Sequence, residues 1–254
     1  MRRMLLASCI ALATLSGCAS TGAESSPDIA SVLASPTRSA EDKERDARDK
    51  PAEVLALAGF ERGDTVADVF AGGGYYSEIL AGIVGPEGQV LLANNIGYDA
   101  FGKKGWTARL ANDRLPNVKH VVGPTEAMGL GENTLDGAVM VMGYHDLYWV
   151  DEKEGWPKID AGQFLDQLAR ALKPGGVLLV VDHSAPQGTG SSAAQTLHRI
   201  DEQFAIADFR GHGLEFKSEL DVLRNPGDDR SKNVFDPSIR GKTDRFVHLY
   251  RKPE

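Results

Sequence analysis

From residue 64 onward, short apolar runs alternate with longer stretches whose apolar positions recur at three- and four-residue intervals. The runs Thr65 to Phe70, Gln89 to Asn94, Val118 to Val122, Asp136 to Met142 and Val177 to Asp182 read as strands. The stretches Tyr75 to Val84, Phe164 to Leu172 and Ser192 to Ala207 read as helices between them. Strands that are apolar on both faces and separated by helices predict a largely parallel sheet covered on both sides. The last segment, Arg245 to Arg251, sets Phe246, His248 and Tyr250 against Val247 and Leu249, the alternation of a half-exposed late strand. Upstream, Pro51 followed by Val54, Leu55 and Leu57 predicts a helix ending near Gly59, led by the charged run Glu41 to Lys50. The segments near 97–109 and 147–162 read as insertions, and their Trp106, Trp149 and Trp156 mark where a substrate pocket would form.

The beginning of the chain follows a different logic. Arg2 and Arg3 precede an apolar stretch, Met4 to Leu15, too short to span a bilayer. It ends in Leu15-Ser16-Gly17-Cys18, which resembles the lipobox of bacterial lipoproteins. The expectation is a lipoprotein signal peptide over residues 1–17, lipid on Cys18, a flexible Ser/Ala/Thr/Pro-rich tether over 18–39 and one domain over 40–254. Ala19 stands where the sorting pattern would place Asp for retention, so the resemblance implies a periplasmic protein anchored to the outer membrane through Cys18 only. Cys9 leaves with the signal, so the mature domain has no thiol to form a disulfide.

Charge narrows the partners. With 28 Lys and Arg against 36 Asp and Glu, the 254-residue chain carries a net charge of -8. Nucleic-acid affinity comes mostly from cations neutralising phosphates, so DNA and RNA are not expected partners.

The densest chemical signal is Val66-Ala67-Asp68-Val69-Phe70-Ala71-Gly72-Gly73-Gly74, a strand, an acid and a glycine turn leading into a helix. Glycines let the backbone turn tightly and approach a ligand, and the helix N-terminus adds partial positive charge. This stretch resembles the cofactor loop of the class I S-adenosylmethionine (SAM) methyltransferases. Leu135 to Met142 and Leu172-Lys173-Pro174-Gly175-Gly176 to Asp182 resemble their fourth and fifth strands, and these argue against a nicotinamide dehydrogenase. A narrower likeness, to a family of predicted and often exported bacterial methyltransferases, rests on Arg45-Asp46, Arg48, Lys50-Pro51, Tyr75-Tyr76, Asp182-His183, His198 to Glu202 and Thr243 to Phe246. The resemblance implies a Rossmann-like methyltransferase fold with a mostly parallel seven-stranded sheet, helices on both faces and a late antiparallel strand.

It also implies SAM as cofactor, held by Asp68, Ala71, Gly72, Gly73, Gly74, Tyr75, Asn94 and Glu126. Two positions depart from the family's pattern. Asn94 stands for the acid that takes both ribose hydroxyls, a change that costs about 1 kcal/mol of charge-assisted bonding. Pro124 stands for the Asp that reads the adenine amino group, with Glu126 as its substitute. The catalytic candidates lie just past strand ends: His145 and Asp146 with Tyr144, and Asp182 with His183, either histidine serving as base. Helical spacing places His198, Asp201 and Glu202 on one face, where with Asp146, Asp182 or His183 they could hold a divalent ion. The i, i+4 pairing favours a salt-bridged network around Arg199 instead, and no metal is expected. Arg45, Asp46, Arg48 and Asp49 read as a solvated helix face. Two functions remain: a methyltransferase of a small-molecule, lipid or envelope substrate, or a non-catalytic periplasmic binding lipoprotein that keeps the fold.

Overall fold

The computed structural model describes residues 28–254; the expected signal peptide, Cys18 and the first part of the expected tether lie outside the described residues. Seven strands form one sheet in the order β3-β2-β1-β4-β5-β7-β6. They are β1 (Thr65–Val69), β2 (Gln89–Asn95), β3 (Val118–Gly123), β4 (Leu135–Val141), β5 (Leu172–His183), β6 (Glu215–Glu219) and β7 (Arg245–Arg251). β1 to β5 are parallel to one another, and β7 runs antiparallel between β5 and β6. The chain therefore builds outward from β1 to β3, then returns to lay β4 on the other side of β1. A crevice opens at such a reversal, beyond the carboxyl ends of the two strands.

The continuous apolar runs have a simple cause: both faces are buried. Along β5, Leu178 and Val180 enter one core with Phe164, Phe209 and Tyr250, while Leu179 and Val181 enter the other with Val54, Ile79 and Leu80. The helices that cover the faces are α1 (Ile29–Ala34), α2 (Ala40–Asp49), α3 (Pro51–Ala58), α4 (Tyr75–Val84), α5 (Ile96–Leu110), α6 (Ala161–Ala171), α7 (Ala194–Leu197) and α8 (Glu202–Gly211). Among the described residues, no helix is long and apolar enough to cross a membrane.

Four expectations change. Part of the presumed tether is α1, capped by Asp28, and its Ile29, Val32 and Leu33 pack on the second core. Val32 sits over Gly82 of α4 at a distance where a Cβ would be 2.6 Å from its Cγ1, so the contact needs glycine there. A single helical turn is too short to show a period, which is why composition suggested a linker. The helix leading to Gly59 is two helices, because Lys50 adopts a left-handed φ of 44° between α2 and α3. The helix expected over 192–207 also breaks: His198 closes α7 at φ 51°, and Asp201 caps α8 by accepting from Gln203 N. The segment 97–109 is no insertion but most of α5.

Candidate functional site

The glycine loop lies at the reversal between β1 and β4. Phe70, in the place of the family's first glycine, takes the left-handed conformation (φ 56°), as do Gly72 (54°) and Gly74 (82°). A phenyl side chain is held there by packing, for the Phe70 ring stacks between Tyr98 at 4.8 Å and Phe164 at 5.1 Å. Asn94 is fully buried and clasps the loop: its Oδ1 accepts from Gly72 N at 2.9 Å and its Nδ2 donates to Gly72 O at 3.1 Å. Both ends of the amide thus bond the backbone of Gly72, where the sequence suggested a ribose acceptor. Its neighbour Asn95 faces a cavity of about 240 Å³ with Pro124, Thr125, Glu126, Trp149 and Trp156. The strand's two-residue alternation turns the two amides to opposite faces. Asp68 accepts from Ser77 Oγ at 2.6 Å and so ties the strand to α4. Burial pushes the Asp68 carboxyl up to about 6, with the Ser77 bond opposing that rise.

Helix α5 lies directly across the loop. Its Gly102 approaches so closely that a Cβ there would overlap the Gly72 carbonyl, and one on Gly105 would stand 2.8 Å from Gly73 Cα. Arg109, at the end of α5, donates from Nε to Gly73 O at 2.9 Å and clamps Asp42 of α2 with bonds of 2.7 and 2.8 Å. Toward the C-terminal half of α5, a cavity of about 610 Å³ is lined by Ala71, Gly73, Tyr75, Arg45, Arg109 and Glu41, among others. Tyr75 donates to Asp46 at 2.6 Å and carries the Arg45 guanidinium 3.9 Å above its ring. The contact of Gly102 with Gly72 thus falls between the α5 residues that line the one cavity and those that line the other.

Beyond β4 and β5 the expected side chains do meet. Asp182, with no exposed surface, accepts from His145 N at 2.8 Å, from His145 Nδ1 at 2.7 Å and from His183 N at 2.7 Å. Asp146 lies 3.2 Å from His145 Nε2 and accepts from the Tyr98 hydroxyl. Burial opposes a charge on His145, but the carboxylates of Asp182 and Asp146 overcome it and hold the ring protonated well above its ordinary range. His145 is therefore a poor proton acceptor. His183 is the reverse case: burial, with His145, Arg245 and Arg199 nearby, keeps it neutral, and its Nδ1 meets Thr243 Oγ1 at 2.7 Å. Tyr144 turns away into the core and donates to Asp208 at 2.6 Å. Glu126 accepts from Asp160 N at 2.9 Å at the cavity rim.

Of the charged face of α2, Arg48 is exposed, but Arg45 and Asp46 are half-buried and Asp49 is buried. Asp49 is buried and bonds Arg45 at 2.6 Å and Arg245 of β7 at 2.9 Å, and burial notwithstanding, the two guanidiniums hold its carboxyl down at about 2. Trp106 leaves the pocket too, stacking on His120 at 4.2 Å. The helical pairing expected around Arg199 does not form: Arg199 lies between α7 and α8 and pairs inside the molecule with Asp228 at 2.8 Å, while Glu202 pairs with Arg224 at 2.6 Å. Sequence reading missed Asn95, Tyr98, Gly102 and Arg109. Only the spacing of Gly102 and Gly105, a small-residue face at i, i+3, could have pointed to α5's close approach.

Strand order and glycine loop are those of the class I SAM-dependent methyltransferase fold, which solved structures share, and the sequence is similar to SAM-dependent methyltransferases. The chain is 29% identical over 151 residues to the ubiquinone/menaquinone biosynthesis C-methyltransferase UbiE of Teredinibacter turnerae, covering 57% of this chain and 53% of that protein. It is 26% identical over 192 residues to UbiE of a Marinomonas species, covering 75% of this chain and 68% of that one. It thus spans about half to two thirds of the length of these curated relatives. Among solved structures, a SAM-dependent methyltransferase from Aquifex aeolicus superposes with a TM-score of 0.57 at 19% identity, over 88% of this chain and 98% of that one. No family model matches the chain.

Proposed function

We propose that the protein is a SAM-dependent methyltransferase acting on a small-molecule, lipid or envelope acceptor. The observation that carries this reading is the left-handed glycine loop at the β1/β4 reversal, with cavities toward the two ends of the helix α5 that lies across it. The residues present suit the two ends of the cofactor. Around the smaller cavity, Asn95, Thr125 and Glu126 offer hydrogen bonds and Trp149, Trp156 and Ile96 offer apolar surface, which fits a nucleoside. Around the larger one, Arg45 and Arg109 suit a carboxylate and Glu41 and Asp42 an ammonium, the charges of an amino-acid end. For one ligand to reach both cavities, Gly102 has to lift from Gly72, so binding is coupled to a displacement of α5. When bound, SAM supplies a methyl group activated on sulfonium sulfur. The chain's own part is alignment of the acceptor and removal of its proton, for which neutral His183, fixed through Nδ1 by Thr243, is the candidate. The C-methylation named for the relatives makes a carbon acceptor on a quinone-like ring the first substrate to assay.

Calorimetric titration of the full chain with SAM and S-adenosylhomocysteine tests this reading; saturable binding of both is expected, and no binding of either at millimolar ligand would overturn it. Export and lipidation at Cys18 are proposed from the sequence alone. A mature protein beginning at a diacylated Cys18, seen by mass spectrometry, is the expected outcome.

A further inference from the structure

Three side chains from two separate stretches converge past the carboxyl end of β4. His145 and Asp146 stand on a tight turn following Met142, whose φ is 56°, and His198 is swung toward them by its own left-handed φ of 51°. One ligand atom of each lies within 4.8 Å of the others. Asp146 Oδ1 is 3.2 Å from His145 Nε2 and 3.6 Å from His198 Nδ1. The second distance is too long for a hydrogen bond, so bonding within the cluster does not account for the position of His198. Both separations suit a tetrahedral ion instead, since bonds of about 2.0–2.1 Å place neighbouring ligands roughly 3.3 Å apart.

The surroundings are those of ligands already oriented. His145 gives its Nδ1 to buried Asp182 at 2.7 Å, leaving Nε2 for the cluster, and a carboxylate behind a histidine is the usual support of a metal ligand. Asp146 spends Oδ2 on the Tyr98 hydroxyl and leaves Oδ1 inward. Trp149 at 4.8 Å and Phe235 at 5.0 Å flank the His198 ring. Because Trp149 also lines the cavity beside Asn95, the cluster sits behind that cavity's wall.

We propose that His145, Asp146 and His198 bind a divalent transition-metal ion, with Asp182 as the positioning residue. Two imidazoles and one carboxylate favour Zn²⁺ or Co²⁺ over Mg²⁺ or Ca²⁺, which prefer all-oxygen sites. A second grouping, Glu202, Glu219 and His248, lacks this character, for Glu202 is already paired with Arg224 and Glu219 is exposed. The metal site is independent of methyl transfer and stands or falls by metal binding alone.

The test is titration of the chelator-treated full chain with Co²⁺, followed by visible absorption. The expected result is one equivalent bound with the intense d–d bands of a low-coordinate site, displaced by Zn²⁺. His198→Asn keeps a residue that tolerates the left-handed backbone and is expected to weaken binding roughly tenfold or more. Asp182→Asn is expected to weaken it by about 10- to 100-fold while leaving the bands in place. Glu219→Gln should change nothing. Should a variant fail to fold, the wild-type spectrum decides: only the faint bands of the hydrated ion, or no Zn²⁺ competition, overturns the proposal. Unchanged affinity in folded His198→Asn overturns it equally.

Discussion

Asp68 shows what a single buried carboxylate costs. Its pKa of about 6, against 3.8 in the unfolded chain, means that ionisation is disfavoured in the native state. The penalty is full at neutral pH, shrinks as pH falls through 6 and vanishes below 3.8; by linkage it amounts to about 3 kcal/mol. Asp68→Asn is therefore expected to raise the thermal midpoint at pH 7.5, with the gain fading toward pH 4. A midpoint unchanged at pH 7.5 would show that the site is more polar than its burial suggests. A charge kept at such cost belongs to function more often than to folding. The adjacent asparagines make a second residue-scale contrast. Asn95→Ala should weaken SAM binding by about tenfold, roughly the loss of one good hydrogen bond, and also cost about 1 kcal/mol of stability, because Asn95 Oδ1 caps α5 by accepting from Tyr98 N at 2.8 Å. Asn94→Ala should act through the fold, leaving Gly72 N and O unbonded and costing about 1–3 kcal/mol in denaturant melts.

At the scale of elements, α5 is the decisive part. Its glycines let two backbones touch, and Arg109 locks the arrangement by holding the loop and α2 at once. A methyl group at position 102 cannot be accommodated without moving α5. Gly102→Ala should thus lower the stability of the free protein by about 1–3 kcal/mol, measured by chemical denaturation. Because the same change favours the raised helix, SAM should bind the variant more tightly than wild type. Weaker binding to a folded Gly102→Ala would mean that α5 in its closed position is part of the cofactor site. The break at His198 belongs to this scale as well. A continuous helix would have carried His198, Asp201 and Glu202 together on one face. The break sends the three apart, His198 to Asp146, Asp201 to an N-cap and Glu202 to Arg224.

At the scale of the whole molecule, the two ends of the domain are joined by the Asp49–Arg245 pair, which fastens α2 to the late antiparallel strand. Arg245→Ala leaves Asp49 buried with only Arg45 and Arg48 near it, and removing one partner of a buried pair costs about 3–5 kcal/mol. The sign of the pH dependence follows from the depressed carboxyl. Asp49 contributes about 2 kcal/mol above pH 3.8, and this is lost as pH falls through about 2. Acid unfolding of Arg245→Ala, followed by circular dichroism, should begin at higher pH than that of wild type; coincident acid transitions would show the pair to be unimportant.

The sheet was legible because strands buried on both faces must be apolar throughout, so Val66, Leu91, Val139 and Leu179 announce themselves in any order of reading. The glycine loop and the strand-end set His145, Asp146, Asp182 and His183 were legible for a related reason: their positions follow from strand ends, which periodicity locates to within a residue or two. β6 was not, because Glu215 to Glu219 is an exposed edge whose pairing with β7, not its composition, makes it a strand. Nor was the distinction between Asn94 and Asn95, since one residue of register exchanges the faces of a strand. Sequence by itself determined the six strands other than β6 and where the chain turns on glycine. Only tertiary structure decided that α5 rests on that glycine loop, that His198 turns toward Asp146 and that Asp49 meets Arg245. Local patterns record burial and backbone freedom, whereas these contacts join residues far apart in the chain, and nothing in their immediate neighbours encodes the distance between them.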